Sequence, residues 1–170
     1  MNVMHGMKHI SRIFGRFLRN DSGAALVEFA ILLPMLLLVF AMIIEGGRLM
    51  WSYQTVNAGV RDAARYLARV APADICTSGG SVAGYTAKLE DIVKETFDGG
   101  SIFPSGITVT SVTPTLSCVA GTYRVSPAPV VQVRAALTVT FPFASVFSFA
   151  GQSLGTINTS VTDQSRVFGT

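Results

Sequence analysis

The chain opens polar and basic, then turns apolar for 21 residues between Ala24 and Ile44, with Glu28 as the single charge in that stretch. A helix of this length is about 31 Å long, close to the hydrocarbon thickness of a bilayer. Its apolar residues fall on every side. A helix resting on a soluble core would instead show a polar stripe with a period of about 3.6 residues. The stretch therefore predicts a membrane-spanning helix.

Helical character continues beyond it. No proline falls between Trp51 and Val70, and Val56, Val60, Ala63, Leu67 and Val70 recur at spacings of 4, 3, 4 and 3. That spacing marks one helical face. Arg61, Asp62, Arg65 and Arg69 lie largely on the other side. Together, Ala24 to Val70 predict a stem of 47 residues. Two places weaken it. Pro34 cannot donate to the carbonyl of Ala30 and predicts a kink. Gly46-Gly47 carries high backbone freedom.

Pro72 and the run Thr77-Ser78-Gly79-Gly80-Ser81 end the stem. A second helix is expected over Val82 to Phe97, with Tyr85, Leu89, Ile92, Val93 and Phe97 as its apolar stripe. Lys88, Glu90, Asp91, Lys94 and Glu95 form its wet face, and Gly99-Gly100 stops it. The period then changes to two. Ile107 to Thr110 reads as a short strand. Val131, Val133, Ala135, Leu137, Val139 and Phe141 alternate with Gln132, Arg134, Ala136, Thr138 and Thr140, the clearest strand in the chain. A last strand is expected from Ile157 to Gln164. Pro104, Pro114, Pro127, Pro129 and Pro142 are assigned to connections.

The fold class is thus α+β: a long N-terminal transmembrane and stem helix, then a small extracytoplasmic domain with a second helix and a short antiparallel sheet. The expected divisions are residues 1–23 as a basic leader, 24–70 as transmembrane and stem helix, and 71–170 as the outer domain.

Charge adds the orientation. Residues 1–20 hold Lys8, Arg12, Arg16 and Arg19 and no acid, whereas residues 45–170 hold nine basic and eight acidic residues. Basic residues crowding the short side predict a cytoplasmic N-terminus and a periplasmic domain. The net charge of +3 is therefore a topology signal. No basic patch interleaved with aromatics points to nucleic acid. A cleaved secretory signal fits less well, because the apolar stretch exceeds the usual length and no small-x-small site follows Phe40.

Two features of the outer part carry alternatives. Cys76 and Cys118 predict a disulfide if the compartment is oxidising; two buried free thiols are the other reading. The apolar segment Phe141 to Ala150 is ten residues, too short to span. It is either a loop buried under the sheet or a surface resting on the membrane or a neighbouring subunit.

The most informative constellation is Ser22-Gly23-Ala24-Ala25-Leu26-Val27-Glu28-Phe29. A carboxylate in an apolar helix costs about 2.5–3.5 kcal/mol at the bilayer centre and less near the interface. Either Glu28 snorkels to the headgroups or it has a partner. A cut after Gly23 would leave an ammonium on Ala24, able to pair with a Glu28 carboxylate in an adjacent subunit and to set the stagger between packed helices.

At these residues the chain resembles a type IV prepilin signal. More closely, Gly23 to Pro34, followed by Glu45-Gly46-Gly47-Arg48 and Ala63-Ala64-Arg65-Tyr66, resembles the TadE-like pseudopilins, minor components of the tight-adherence (Tad/Flp) pilus machinery of bacteria and archaea. The likeness covers residues 19–70 and returns loosely at Leu137 to Phe143. It implies that a membrane-embedded aspartic prepilin peptidase cuts between Gly23 and Ala24. It implies that Glu28 and Phe29 form the assembly and processing motif, and that the protein waits in the inner membrane before assembly. The partners implied are that peptidase, other pilins and pseudopilins, the inner-membrane Tad secretion machinery and the lipid bilayer. Major Flp pilins are very short. The sizeable outer domain here favours a minor, priming, tip or anchoring role in pilus biogenesis and surface adhesion.

Enzyme readings are weak. His5 and His9 lie in the leader with no carboxylate beside them, so no metal site is expected. Ser78 lacks the strand–turn–helix context of a nucleophile elbow, and no phosphate-binding loop is present. No catalytic residue, cofactor or small-molecule substrate is expected. The competing class is a signal-anchored envelope protein whose outer domain binds a ligand or partner without polymerising.

Overall fold

A computed structural model describes residues 21–95, 99–144 and 155–169. Among the described residues three α-helices and three strands follow one another: α1 (Asp21–Val70), α2 (Ile75–Ser78), α3 (Thr86–Lys94), β1 (Ile107–Val119), β2 (Ala128–Val139) and β3 (Ile157–Arg166). The architecture is the expected α+β arrangement. Compactness divides the chain between Ile43 and Ile44.

Before that division the described residues are helix alone. Pro34 lies inside α1, and the helix qualifies by length and composition to cross a membrane, with 6% of its most apolar window buried. Most of its large apolar residues are exposed, Leu26, Phe29, Ile31, Leu32, Leu36 and Leu37 among them, while Leu33 and Leu38 are half-buried. The basic residues Lys8 to Arg19, with His5 and His9, lie outside the described residues.

After the division the remainder of α1 packs within a folded domain. Val56, Val60, Ala63 and Leu67 are fully buried, as their spacing predicts. The face then continues through Ala64, Ala68 and Ala71 instead of Val70, which is 38% exposed. At 3.6 residues per turn a strict 4-3 alternation drifts around the helix, and small alanines fill the seam where the sheet approaches. Arg61, Asp62, Arg65 and Arg69 are exposed.

The second helix begins as a 3₁₀ turn over Ala83–Tyr85 and ends at Lys94. Leu89 and Val93 are buried and Tyr85 and Ile92 half-buried, so the expected stripe faces the core. Phe97 lies outside the described residues. α3 crosses α1 at Gly59, where an added Cβ would stand 3.2 Å from the Val93 Cα. Only a residue without a side chain permits that approach without displacing backbone.

The sheet is antiparallel in the order β1-β2-β3. Central β2 alternates as its sequence predicts: Val131, Val133, Ala135, Leu137 and Val139 are buried, while Gln132 and Arg134 are exposed. It stops at Val139, so Thr140 and Phe141 lie beyond it. β1 is much longer than the expected Ile107–Thr110. Its register shifts between Val109 and Ser111, and the bulge returns Val112 to the buried face that strict alternation would have denied it. Pro114 and Pro129 sit in strands, not connections. β1 has a neighbour on one side only, which is where a residue without an N–H is tolerated. Pro129 precedes the first β2–β3 pair, Val130 with Arg166. Gly106, with φ 86°, turns the chain into β1 so tightly that a Cβ would lie 2.9 Å from the Thr140 Oγ1. The core joins α1, α3 and the inner sheet face through Leu67, Leu89, Val93, Val131 and Val133.

Candidate functional site: the exposed helix and the carboxylate that follows it

The residues singled out at the start of the apolar helix all lie on α1. Gly23, Ala24, Glu28, Phe29 and Pro34 are exposed. A Cβ built on Gly23 would meet nothing within 4 Å. Phe29 is 59% exposed and neighbours Leu26, Ile31 and Leu32 are equally bare. Among the described residues the ion pairs are Glu45–Arg48, Lys88–Asp91 and Lys94–Glu90, and Glu28 belongs to none of them. Gly23 to Phe29 thus presents a small-residue opening, a carboxylate and an aromatic ring on an unoccupied helix surface. Chemically it can accept a cation and pack against apolar side chains. It holds no nucleophile–base pair.

A second carboxylate behaves differently. Glu45 follows the apolar stretch directly, yet it is only 5% exposed. Burial of a charge demands partners, and Glu45 has two. Arg48, one turn on, donates through Nη1 to Oε2 at 3.1 Å. The backbone N–H of Phe143 donates to Oε1 at 3.0 Å. Arg48 also donates through Nη2 to the carbonyl of Ser105. The Glu45–Arg48 pair therefore binds the segment before β1 and the segment after β2 to the same turn of α1. Sequence reasoning singled out Glu45 and Arg48 but gave them no role. A carboxylate and a guanidinium three residues apart beside an apolar run are the available signal. Ser105 and Phe143 carried none.

Further out, Cys76 of α2 is disulfide-bonded to Cys118 of β1, 42 positions away. Ser52 and Thr55 return their hydroxyls to carbonyls four residues back, at Arg48 and Trp51, which satisfies them locally along α1.

Residues 23–65 match the family model described as TadE-like protein. No curated protein and no solved structure matches the chain. The match begins on Gly23, covers the exposed helix and the Glu45–Arg48 pair, and ends on the buried face that carries Val56, Val60 and Ala63. It supports a pilin-like protein associated with the Tad pilus, from a family of structural pilus components. A single N-terminal apolar helix fits a membrane-anchored component of that kind. Over residues 23–65, from Gly23 through the buried Glu45 clasp, the chain is similar to the TadE-like family.

Proposed function

We propose that this chain is a TadE-like pseudopilin: a membrane-anchored minor component of a Tad/Flp pilus that a prepilin peptidase cuts between Gly23 and Ala24. The observation that carries this reading is the helix from Gly23 to Ile44. It is apolar on every side, largely exposed and marked by one early carboxylate. A membrane anchor needs the first two properties. The third is a cost to an anchor and an asset to an assembling helix, because a carboxylate in an apolar helix needs a cation. Once residues 1–23 are removed, the Ala24 ammonium of a neighbouring copy supplies one. Pro34 kinks the helix between that pairing site and the domain.

The precursor resides in the inner membrane with its N-terminus in the cytoplasm and its domain outside. It works with prepilin peptidase, other pilins and pseudopilins, and the inner-membrane Tad machinery in pilus biogenesis and adhesion, and it is not an enzyme. The bulk of the domain favours a minor, priming, tip or anchoring role over that of the repeating shaft subunit. Mass analysis of the mature protein tests the proposal: its N-terminus should be Ala24. Intact Met1 in cells with active prepilin peptidase would overturn it and leave a signal-anchored envelope protein that does not polymerise.

A further inference from the structure

The apolar surface of the chain does not end where the 21-residue span ends. Glu45 is buried and paired, and Arg48 is half-buried in the same clasp. No fully exposed charge therefore stands on α1 between Glu28 and Arg61. In the interval Met50 is 61% and Trp51 63% exposed, with Tyr53 beside them. Past Tyr53 the outward residues turn polar: Gln54, then Arg61, Asp62 and Arg65.

The sheet adds apolar surface at the same end. The β2–β3 ladder ends on the pair Val139–Ile157, and Ile157 is 46% exposed. The other face of β3 is polar along its length, with Asn158, Thr162, Gln164 and Arg166 exposed. An open, mainly apolar groove of ≈ 350 Å³ lies where the two surfaces meet, lined by Gly46, Leu49, Met50, Tyr53, Val139, Ile157 and Thr159. Phe143, also exposed, is held level with residue 45 by its bond to Glu45. Helix, sheet and loop thus all expose apolar side chains at the end of the domain that follows the span; α1 and the outer face of β3 then turn polar, before exposed Val119, Tyr123, Val125 and Phe168 at the far end.

We infer that this end of the domain is seated in the bilayer, with phospholipid acyl chains of the outer leaflet filling the groove and Trp51 and Tyr53 at headgroup level. The inference rests on the reading of residues 24–44 as a membrane span. Continuity with that span selects lipid as the occupant. Met50 lies about 9 Å past Ile44 along a helix, at the outer limit of a headgroup region roughly 5–8 Å deep. Helical side chains tilt toward the N-terminus, so Met50, Trp51 and Tyr53 reach back toward the membrane. Amphipathic Trp and Tyr rings favour that zone. The clasp makes the seating affordable, because it removes the Glu45 carboxylate from the surface.

Trp51 is the only tryptophan, which makes the full-length chain its own probe. Reconstituted at low protein-to-lipid ratio in phosphatidylcholine–phosphatidylglycerol vesicles, Trp51 should lose most of its emission when the acyl chains are brominated near the headgroup. Moving the indole with Trp51→Phe/Ile157→Trp should give the same quenching on the sheet wall. Trp51→Phe/Tyr53→Trp covers the helix wall should the first variant fold poorly. With Trp51→Phe/Thr162→Trp, five residues along β3, the emission should stay that of an indole in water. Vesicles that float the protein but leave the groove positions unquenched would overturn the seating and spare the span; so would equal quenching at position 162. Shielding that grows with protein-to-lipid ratio without bromine quenching would assign the groove to a second copy and overturn the lipid occupant. A chain that fails to float would overturn span and seating together.

Discussion

Glu45 shows how one side chain ties two connecting segments of a domain to one turn of its own helix. Its two carboxylate oxygens serve different elements, Arg48 at 3.1 Å and the Phe143 N–H at 3.0 Å. Removing the carboxylate leaves a half-buried guanidinium without its counter-charge and a backbone donor without its acceptor. Losing one partner of a buried, hydrogen-bonded ion pair costs about 3 kcal/mol. Glu45→Ala should therefore lower the unfolding midpoint of the domain by about 10 °C in a thermal melt followed by near-ultraviolet dichroism. Glu45→Gln keeps an acceptor for Phe143 and should lose roughly half as much. An unchanged melt for Glu45→Ala would show that the clasp contributes nothing. The clasp was legible in the sequence only in part. The residues Glu45 and Arg48 stand out beside the apolar run, but Ser105 and Phe143 lie 57 and 98 positions from their partners. Local pattern has no access to a bond between an acid and a backbone N–H that tertiary folding brings to it.

The elements that periodicity described best are those whose neighbours impose a single period. β2 lies between two strands with one face on the core, so its alternation is uninterrupted. The α1 face from Val56 to Leu67 is read equally directly. β1 escaped because its bulge breaks the period and Pro114 interrupts its strand-like composition. Gly59 carried no signal at all, since its role is set by Val93 of another helix. There the balance of two effects gives a prediction. Gly59→Ala gains about 1 kcal/mol of helix propensity and pushes a Cβ to 3.2 Å from the Val93 Cα, so the two should nearly cancel. Gly59→Val adds bulk against backbone and should cost about 1–3 kcal/mol. Ala58→Val, on the exposed side of the same turn, should stay within about 0.5 kcal/mol of the parent. Urea unfolding of the three variants measures this, and equal costs at positions 58 and 59 would refute the close crossing. The disulfide gives a larger effect at the same scale. It ties α2 to β1 over a sequence separation of 42, and on the chain-entropy account such a loop is worth about 4 kcal/mol. Cys76→Ser/Cys118→Ser should shift the urea midpoint down accordingly. Both single variants should match the double, because either one opens the loop.

At the scale of the whole molecule the chain combines a domain that partners its buried carboxylate with an apolar helix segment whose carboxylate stands exposed. Glu45, Lys88 and Lys94 all find partners inside the fold. Glu28 stands exposed on a helix whose other side chains are apolar. This contrast was legible from the sequence, because it depends on composition and spacing along one continuous segment and needs no tertiary contact. What supplies the cation to Glu28 was not, since an adjacent subunit leaves no trace in a single chain. The proposal that Glu28 pairs with the Ala24 ammonium of a neighbour makes opposite demands on two assays. Glu28→Ala removes a charge that costs up to about 2.5–3.5 kcal/mol in lipid. The variant should therefore remain at least as well anchored as the parent. The bond between Gly23 and Ala24 is untouched, so processing should largely survive. Assembly alone should fall, seen as a mature, membrane-held protein with reduced piliation. Gly23→Val should do the reverse, keeping Glu28 while the leader remains attached and the Ala24 ammonium never forms. Both variants then lack piliation for different reasons, and mass analysis of the N-terminus separates them. Normal piliation in Glu28→Ala would remove the pairing from the account, and the apolar faces of the helix would have to set the stagger by themselves.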